Sequence, residues 1–131
     1  ALHYTSFEAY PMTPAEMTKA LAPLRDLPVD ALEKPASDFR LTDITGDARQ
    51  TLPQWTGLAD AWFLDGFSPA KNPELWGADL MQAVADHTTP RGTFATYTAA
   101  GHVRRALAEA GFTVTRTAGY GRKRHMTRGY L

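Results

Sequence analysis

The sequence predicts an α/β fold with an open, mostly parallel sheet that ends in an antiparallel hairpin. Three observations carry this. Strand-like and helix-like segments alternate along the chain, one near-continuous apolar run reads as a buried strand, and three acids fall where strands should end. Such alternation marks parallel strands joined by helical crossovers. The 131 residues suit one domain, and 44% hydrophobic content is that of a globular chain. No apolar run is long enough to span a membrane. The absence of cysteine excludes a disulfide scaffold, a zinc–thiolate site and a cysteine nucleophile. The opening residues show no charged-then-apolar leader; a cytoplasmic setting is expected, which the composition permits without demanding it.

Taken in order, Leu2 to Glu8 reads as a strand with an acid at its carboxyl end. Thr13-Pro14-Ala15-Glu16 is a capping-box pattern with Pro at the first helical position, and Met17, Leu21 and Leu24 follow at helical spacing. Pro23 keeps that helix short, and residues 22–38 carry no clear period. Phe39 to Ile44 alternates as a strand ending at Gly46-Asp47, and Ala48 to Leu52 is a short helix. Asp60-Ala61-Trp62-Phe63-Leu64-Asp65 is apolar between two acids, the pattern of a strand buried on both faces. Asn72-Pro73 caps a helix with Trp76, Leu80, Ala83 and Val84 on its apolar face. Thr93 to Thr98 is the next strand. Val103, Ala106, Leu107 and Ala110 define an amphipathic helix that Gly111 ends. Phe112 to Thr117 and Lys123 to Tyr130 are strands joined by a Gly119-Tyr120-Gly121 turn, and so antiparallel.

Ligands of open α/β sheets sit at the carboxyl ends of the strands. Glu8, Asp47 and Asp65 fall there, either as a ligand site or as caps and turn formers. Asp65-Gly66-Phe67-Ser68-Pro69 is the sharpest of these features. Asp65 is a carboxylate at the sheet edge, Gly66 allows close backbone approach, and Phe67 offers an aromatic wall. Glu8 suits a ribose diol, and Asp47, after Gly46, an exocyclic purine amine. The zero net charge is split: residues 101–131 hold seven Lys/Arg and one acid. This is a polyanion-facing end or a cluster on a solvated face. In Gly119 to His125, Arg122, Lys123 and Arg124 would neutralise phosphates and Tyr120 would stack on a base, unless the segment is an ordinary solvated hairpin. The four His lack metal-ligand spacing. Walker, G-x-S-x-G, H-E-x-x-H and dinucleotide fingerprints are absent from the sequence.

The run Asp60-Ala-Trp-Phe-Leu-Asp-Gly-Phe-Ser-Pro-Ala-Lys-Asn-Pro-Glu-Leu-Trp76 resembles the methyltransferase domain of the MnmC family. Leu2 to Glu8, Phe94 to Arg105 and Gly119 to Met126 resemble the same family. The resemblance implies a Rossmann-like, S-adenosylmethionine-dependent methyltransferase. It would methylate the 5-aminomethyl group of 5-aminomethyl-2-thiouridine at the tRNA wobble position. It implies Glu8, Gly46, Asp47, Asp65, Gly66 and Phe67 at the cofactor, and Asp65 as the catalytic residue beside the amine. Lys71, Arg104, Arg105, Tyr120, Arg122, Lys123 and Arg124 would face tRNA. In many members an FAD-dependent oxidoreductase domain follows. Partner expectations are therefore tRNA and a fused or separate oxidoreductase of that kind, with no membrane and no metal.

By the same resemblance, residues 1–131 are a partial domain. The family's first strand and Gly-rich cofactor loop would precede Ala1. That strand would separate the strands at 2–8 and 39–44 from those at 60–65 and onward. Without it, two half-sheets with unpaired inner edges are expected, each buried unpaired group costing about 1–3 kcal/mol. The segment 22–38 is shorter than the family pattern, which implies a second gap. Alternatives are a methyltransferase of this fold acting on another amine, and a non-catalytic RNA-binding fragment.

Overall fold

The computed structural model describes residues 2–8, 39–66 and 68–131. The helix expected after Thr13, the irregular 22–38 segment and Phe67 lie outside the described residues. The chain divides into two compact units, Ala1–Thr51 and Leu52–Leu131.

In the first unit, β1 (Leu2–Glu8) and β2 (Phe39–Thr45) pair in parallel, in register from Leu2 with Phe39 to Glu8 with Thr45. A parallel pair needs a long crossover, which the thirty intervening residues supply. Gly46 and Asp47 follow β2, and α1 (Ala48–Gln54) starts there, with the unit boundary falling inside it. The Asp47 carbonyl accepts the Gln50 and Thr51 N–H groups at 2.8 and 2.9 Å.

The second unit holds β3 (Ala59–Phe63), a 3₁₀ turn (Pro73–Trp76), α2 (Ala78–Asp86), β4 (Thr88–Thr96), α3 (Gly101–Glu109), β5 (Thr113–Ala118) and β6 (His125–Tyr130). Its sheet order is β3-β4-β6-β5, with β3 parallel to β4 and β6 antiparallel to both neighbours. The C-terminal hairpin is therefore as expected. Two separate sheets, one of two strands and one of four, are present among the described residues, and there β3 pairs with β4 alone.

The core of this unit is Trp76, Leu80, Met81, Val84, Phe94, Val103, Leu107 and Phe112, all nearly or fully buried. Phe94 meets Phe112 edge to face at 5.0 Å, a favourable aromatic geometry. The predicted apolar faces of α2 and α3 are the buried ones, because residues three and four apart share one side of a helix.

Three expectations are corrected. β3 is buried on one face, not two: Trp62 is half-buried, whereas Ala61 and Phe63 are exposed. Pleating turns alternate residues to opposite faces, and the α2 and α3 core lies on the Trp62 and Phe94 side. The helix expected from Asn72 is two pieces, because Gly77 is extended (φ −72°, ψ 160°) and serves as the N-cap of α2. Asn72 itself makes no side-chain capping bond. β4 begins five residues early, at Thr88, with a register irregularity opposite Ala59 to Ala61. Arg91 sits there at φ 69°, the conformation of a bulge.

Candidate active site

In the first unit, both strands run the same way and their carboxyl ends share an edge. Glu8 closes β1 opposite Thr45, the residue that precedes Gly46-Asp47. Gly46 has φ +144°, and a Cβ there would lie 2.9 Å from the Thr51 side chain, so glycine suits this exit from the sheet. Asp47 caps α1: its Oδ1 accepts the Arg49 N–H at 2.9 Å. The Arg49 guanidinium also grips it, Nε donating to Oδ1 at 3.0 Å and Nη2 to Oδ2 at 2.5 Å. These side-chain bonds, with the backbone bond, lower the Asp47 carboxyl from its ordinary 3.8 to about 2. Asp47 is thus both the cap the sequence allowed and a fixed anion at a strand end. Nothing in its sequence pattern announced Arg49 as partner.

In the second unit, β4 and β5 are each antiparallel to β6, and β3 is parallel to β4. The three strands β3, β4 and β5 therefore point the same way, and their carboxyl ends make one edge. The Leu64 N–H donates to the Ala95 carbonyl at 2.9 Å and extends the ladder by one residue. Asp65 is the next residue and is exposed, with Oδ1 accepting the Gly66 N–H at 2.8 Å. No cationic side chain among the described residues pairs with it. Gly66 has φ +153°, and a Cβ there would come within 2.6 Å of Leu75 Cδ2. Glycine is needed there for the turn out of the strand.

The connections from this edge carry the predicted cations. Lys71 lies in the exposed turn closed by the Lys71 N–H on the Ser68 carbonyl, 2.8 Å. Arg104 and Arg105 are in the first turns of α3. Arg105 is exposed, while Arg104 is half-buried with Nε on the Ala99 carbonyl at 3.3 Å. Tyr120, 83% exposed, and exposed Arg122, Lys123 and Arg124 form the β5–β6 turn. The Gly119 N–H on the Arg124 carbonyl, 3.0 Å, closes that turn, so Lys123 belongs to it rather than to the strand. The segments 97–105 and 119–124 hold five Lys/Arg and no acid. Topology has gathered positions far apart in sequence onto one edge. Tyr97, also exposed there, is a residue the sequence reading passed over; its signal was an aromatic just beyond a strand's carboxyl end.

Residues 15–131 match the model of a family described as S-adenosyl-L-methionine-dependent methyltransferase, and the chain belongs to that family. Its fold is accordingly the Rossmann-like α/β fold of these enzymes, and its cofactor S-adenosylmethionine. The chain is 40% identical to the tRNA 5-methylaminomethyl-2-thiouridine biosynthesis bifunctional protein MnmC of Chromobacterium violaceum, and 42% identical to that of Pseudomonas fluorescens. These matches cover 99% and 98% of the chain, which spans 22% of each relative's length. The first alignment runs over 146 residues against the 131 here, so that relative carries residues without a counterpart in this chain. Among solved structures, MnmC2 from Aquifex aeolicus superposes with a TM-score of 0.73 at 29% identity, over 97% of this chain and 43% of that one. The MnmC resemblance expected from the Asp60 to Trp76 run is thus found along nearly the whole chain.

Each unit, taken by itself, holds a group whose chemistry suits part of this cofactor. A sulfonium is cationic, and Asp65 offers an exposed carboxylate with no competing side-chain cation among the described residues. Asp47 is an acceptor at a strand end, its carboxyl lowered to about 2 by the Arg49 hydrogen bonds.

Proposed function

We propose that this chain is the methyl-transferring part of a tRNA-modifying enzyme. It methylates the primary amine of 5-aminomethyl-2-thiouridine at the wobble position, giving 5-methylaminomethyl-2-thiouridine. The observation that carries this reading is the shared carboxyl edge of β3, β4 and β5, where one unpaired carboxylate is accompanied by acid-free connections holding five cations. An RNA acceptor needs the cations, and an amine acceptor needs the carboxylate. The names of the relatives supply the particular nucleoside. Residues 1–131 are read as belonging to one methyltransferase domain that works in the cytoplasm beside a fused or separate FAD-dependent oxidoreductase.

Bound S-adenosylmethionine supplies the electrophilic methyl group. Glu8 would hold the ribose diol, and Gly46-Asp47 the adenine amine. Asp65, Gly66 and Phe67 would hold the methionyl end. The Asp65 carboxylate would accept a hydrogen bond from the neutral amine and so orient its lone pair for methylation. It then takes up the proton the product amine sheds. Alignment supplies most of the acceleration, and the proton acceptor contributes about 10²–10⁴. Lys71, Arg104, Arg105, Arg122, Lys123 and Arg124 hold the phosphates, while Tyr120 stacks on an unpaired base.

The test is methyl transfer from labelled S-adenosylmethionine to tRNA bearing 5-aminomethyl-2-thiouridine, read by nucleoside mass. Label should enter 5-methylaminomethyl-2-thiouridine, and bulk tRNA should compete where small amines do not. Asp65→Asn should bind cofactor within a few-fold of the parent and lose at least about 100-fold in turnover. Loss of both together, or of neither, would remove Asp65 from the reaction.

A further inference from the structure

The geometry points to Tyr97 as the residue that receives the acceptor base, its ring forming a wall beside Asp65. This inference rests on the proposed methyl transfer to a nucleoside amine and names the part of the site that holds the ring bearing that amine.

Register places the two residues together. Phe63 pairs with Ala95 in parallel, and the Leu64 N–H on the Ala95 carbonyl sets Leu64 beside Thr96. Asp65 and Tyr97 are the positions that follow, each just beyond the end of its strand. Both follow the odd-numbered face of β3 and β4, the face turned away from the Phe94 and Trp62 core. Neighbouring parallel strands lie about 4.8 Å apart, so a carboxylate and an aromatic ring leave the sheet side by side.

Tyr97 is 54% exposed and has no ring partner among the described residues. Such a ring at a sheet end is commonly mobile, yet the backbone around this one is tied at four points. The buried Thr127 hydroxyl donates to the Thr98 carbonyl at 2.8 Å. The Thr98 N–H donates to Thr96 Oγ1 at 3.3 Å, and the Ala100 N–H to Thr98 Oγ1 at 3.2 Å. Arg104 Nε adds a bond to the Ala99 carbonyl at 3.3 Å. These bonds, two of them made with the buried Thr96 and Thr127 hydroxyls, hold the backbone of a solvent-facing aromatic in place. A preorganised ring binds a flat partner with less loss of entropy than a loose one. Enzymes that modify a base out of its stack hold it against aromatic side chains while polar groups read its substituents. A pyrimidine laid on Tyr97 would carry its 5-aminomethyl arm toward Asp65.

The experiment compares the parent protein with Tyr97→Phe and Tyr97→Ala on an anticodon stem-loop RNA whose wobble residue is 5-aminomethyl-2-thiouridine. Tyr97→Ala should lower kcat/KM for the RNA by about 5- to 150-fold, the range of one base–aromatic stack. Its affinity for S-adenosylmethionine should stay within about twofold of the parent, and Tyr97→Phe should stay within about threefold on both measures. A Tyr97→Ala protein within twofold of the parent on the RNA overturns the inference. So does an equal loss of cofactor affinity, which would put the ring against the sulfonium. A parent protein that transfers no methyl refutes the proposed function instead. Tyr97 is then judged by binding alone: the parent should prefer the stem-loop with its wobble base over an abasic one by about fivefold or more, and Tyr97→Ala should not. Equal preference in both proteins overturns it.

Discussion

Removing the three cations of the β5–β6 turn gives a quantitative test of the RNA-facing edge. Arg122, Lys123 and Arg124 are exposed, and no acid among the described residues pairs with them. Each phosphate contact contributes between about 0.7 and 0.9 to the slope of log affinity against log salt, the lower value for single strands. Three contacts therefore contribute about 2.1–2.7. Between 50 and 200 mM salt the parent should lose about 20- to 40-fold more affinity for tRNA than Arg122→Ala/Lys123→Ala/Arg124→Ala does. The assay is fluorescence anisotropy with labelled tRNA across that range, with circular dichroism as the folding check. Arg91→Gly is the matched control. It removes a cation from the opposite end of β4 and relieves a φ of 69°, so its slope should equal the parent's. A triple variant that folds and keeps the parental slope takes the turn out of the interface, and the charge argument for tRNA would fall with it.

Four further outcomes follow from particular contacts. His87 joins α2 to the chain before β3: Nδ1 lies 2.8 Å from the Ala83 carbonyl and Nε2 2.8 Å from the Trp55 carbonyl, the tautomer deciding which nitrogen donates, and the ring stacks on Trp55 at 5.8 Å. His87→Ala should cost about 2–4 kcal/mol in urea unfolding, and a loss below about 0.5 would show these bonds to be idle. Gly66→Ala should cost about 1–3 kcal/mol, and adding Leu75→Ala should recover only part of it, because the clash is removed and the positive φ is not. Asp47 has a lowered folded pKa, so its contribution is present above about pH 4 and fades as pH falls toward 2. Unfolding of Arg49→Ala should lack that acid-limb loss, and identical limbs would disprove the pairing. Thr127→Val should leave folding cooperative while lowering kcat/KM for RNA more than cofactor affinity, since the Thr98 carbonyl loses its 2.8 Å donor.

Local pattern determined much of this protein. The strands at 2–8 and 39–45, the helix closed by Gly111 and the Gly119 hairpin were legible because each depends on periodicity and on residues that tolerate one backbone conformation. The acids at strand ends were legible for the same reason, since a polar residue directly after an apolar run must leave the sheet. Composition alone separated the basic C-terminal segment from the rest. The burial of β3 was not legible: Ala61 and Phe63 are apolar, and only the placement of α2 and α3 decides which face they cover. Nor was the break at Gly77, where the backbone chose an extended cap over a continuous helix. The bulge at Arg91 was hidden as well, because the strand was expected to begin only at Thr93 and the register irregularity exists only once β3 pairs with β4. Tertiary structure also set the neighbouring places of Asp65 and Tyr97. Sequence spacing says when a side chain leaves a strand, and the hydrogen-bond register between strands says which side chain it will stand beside.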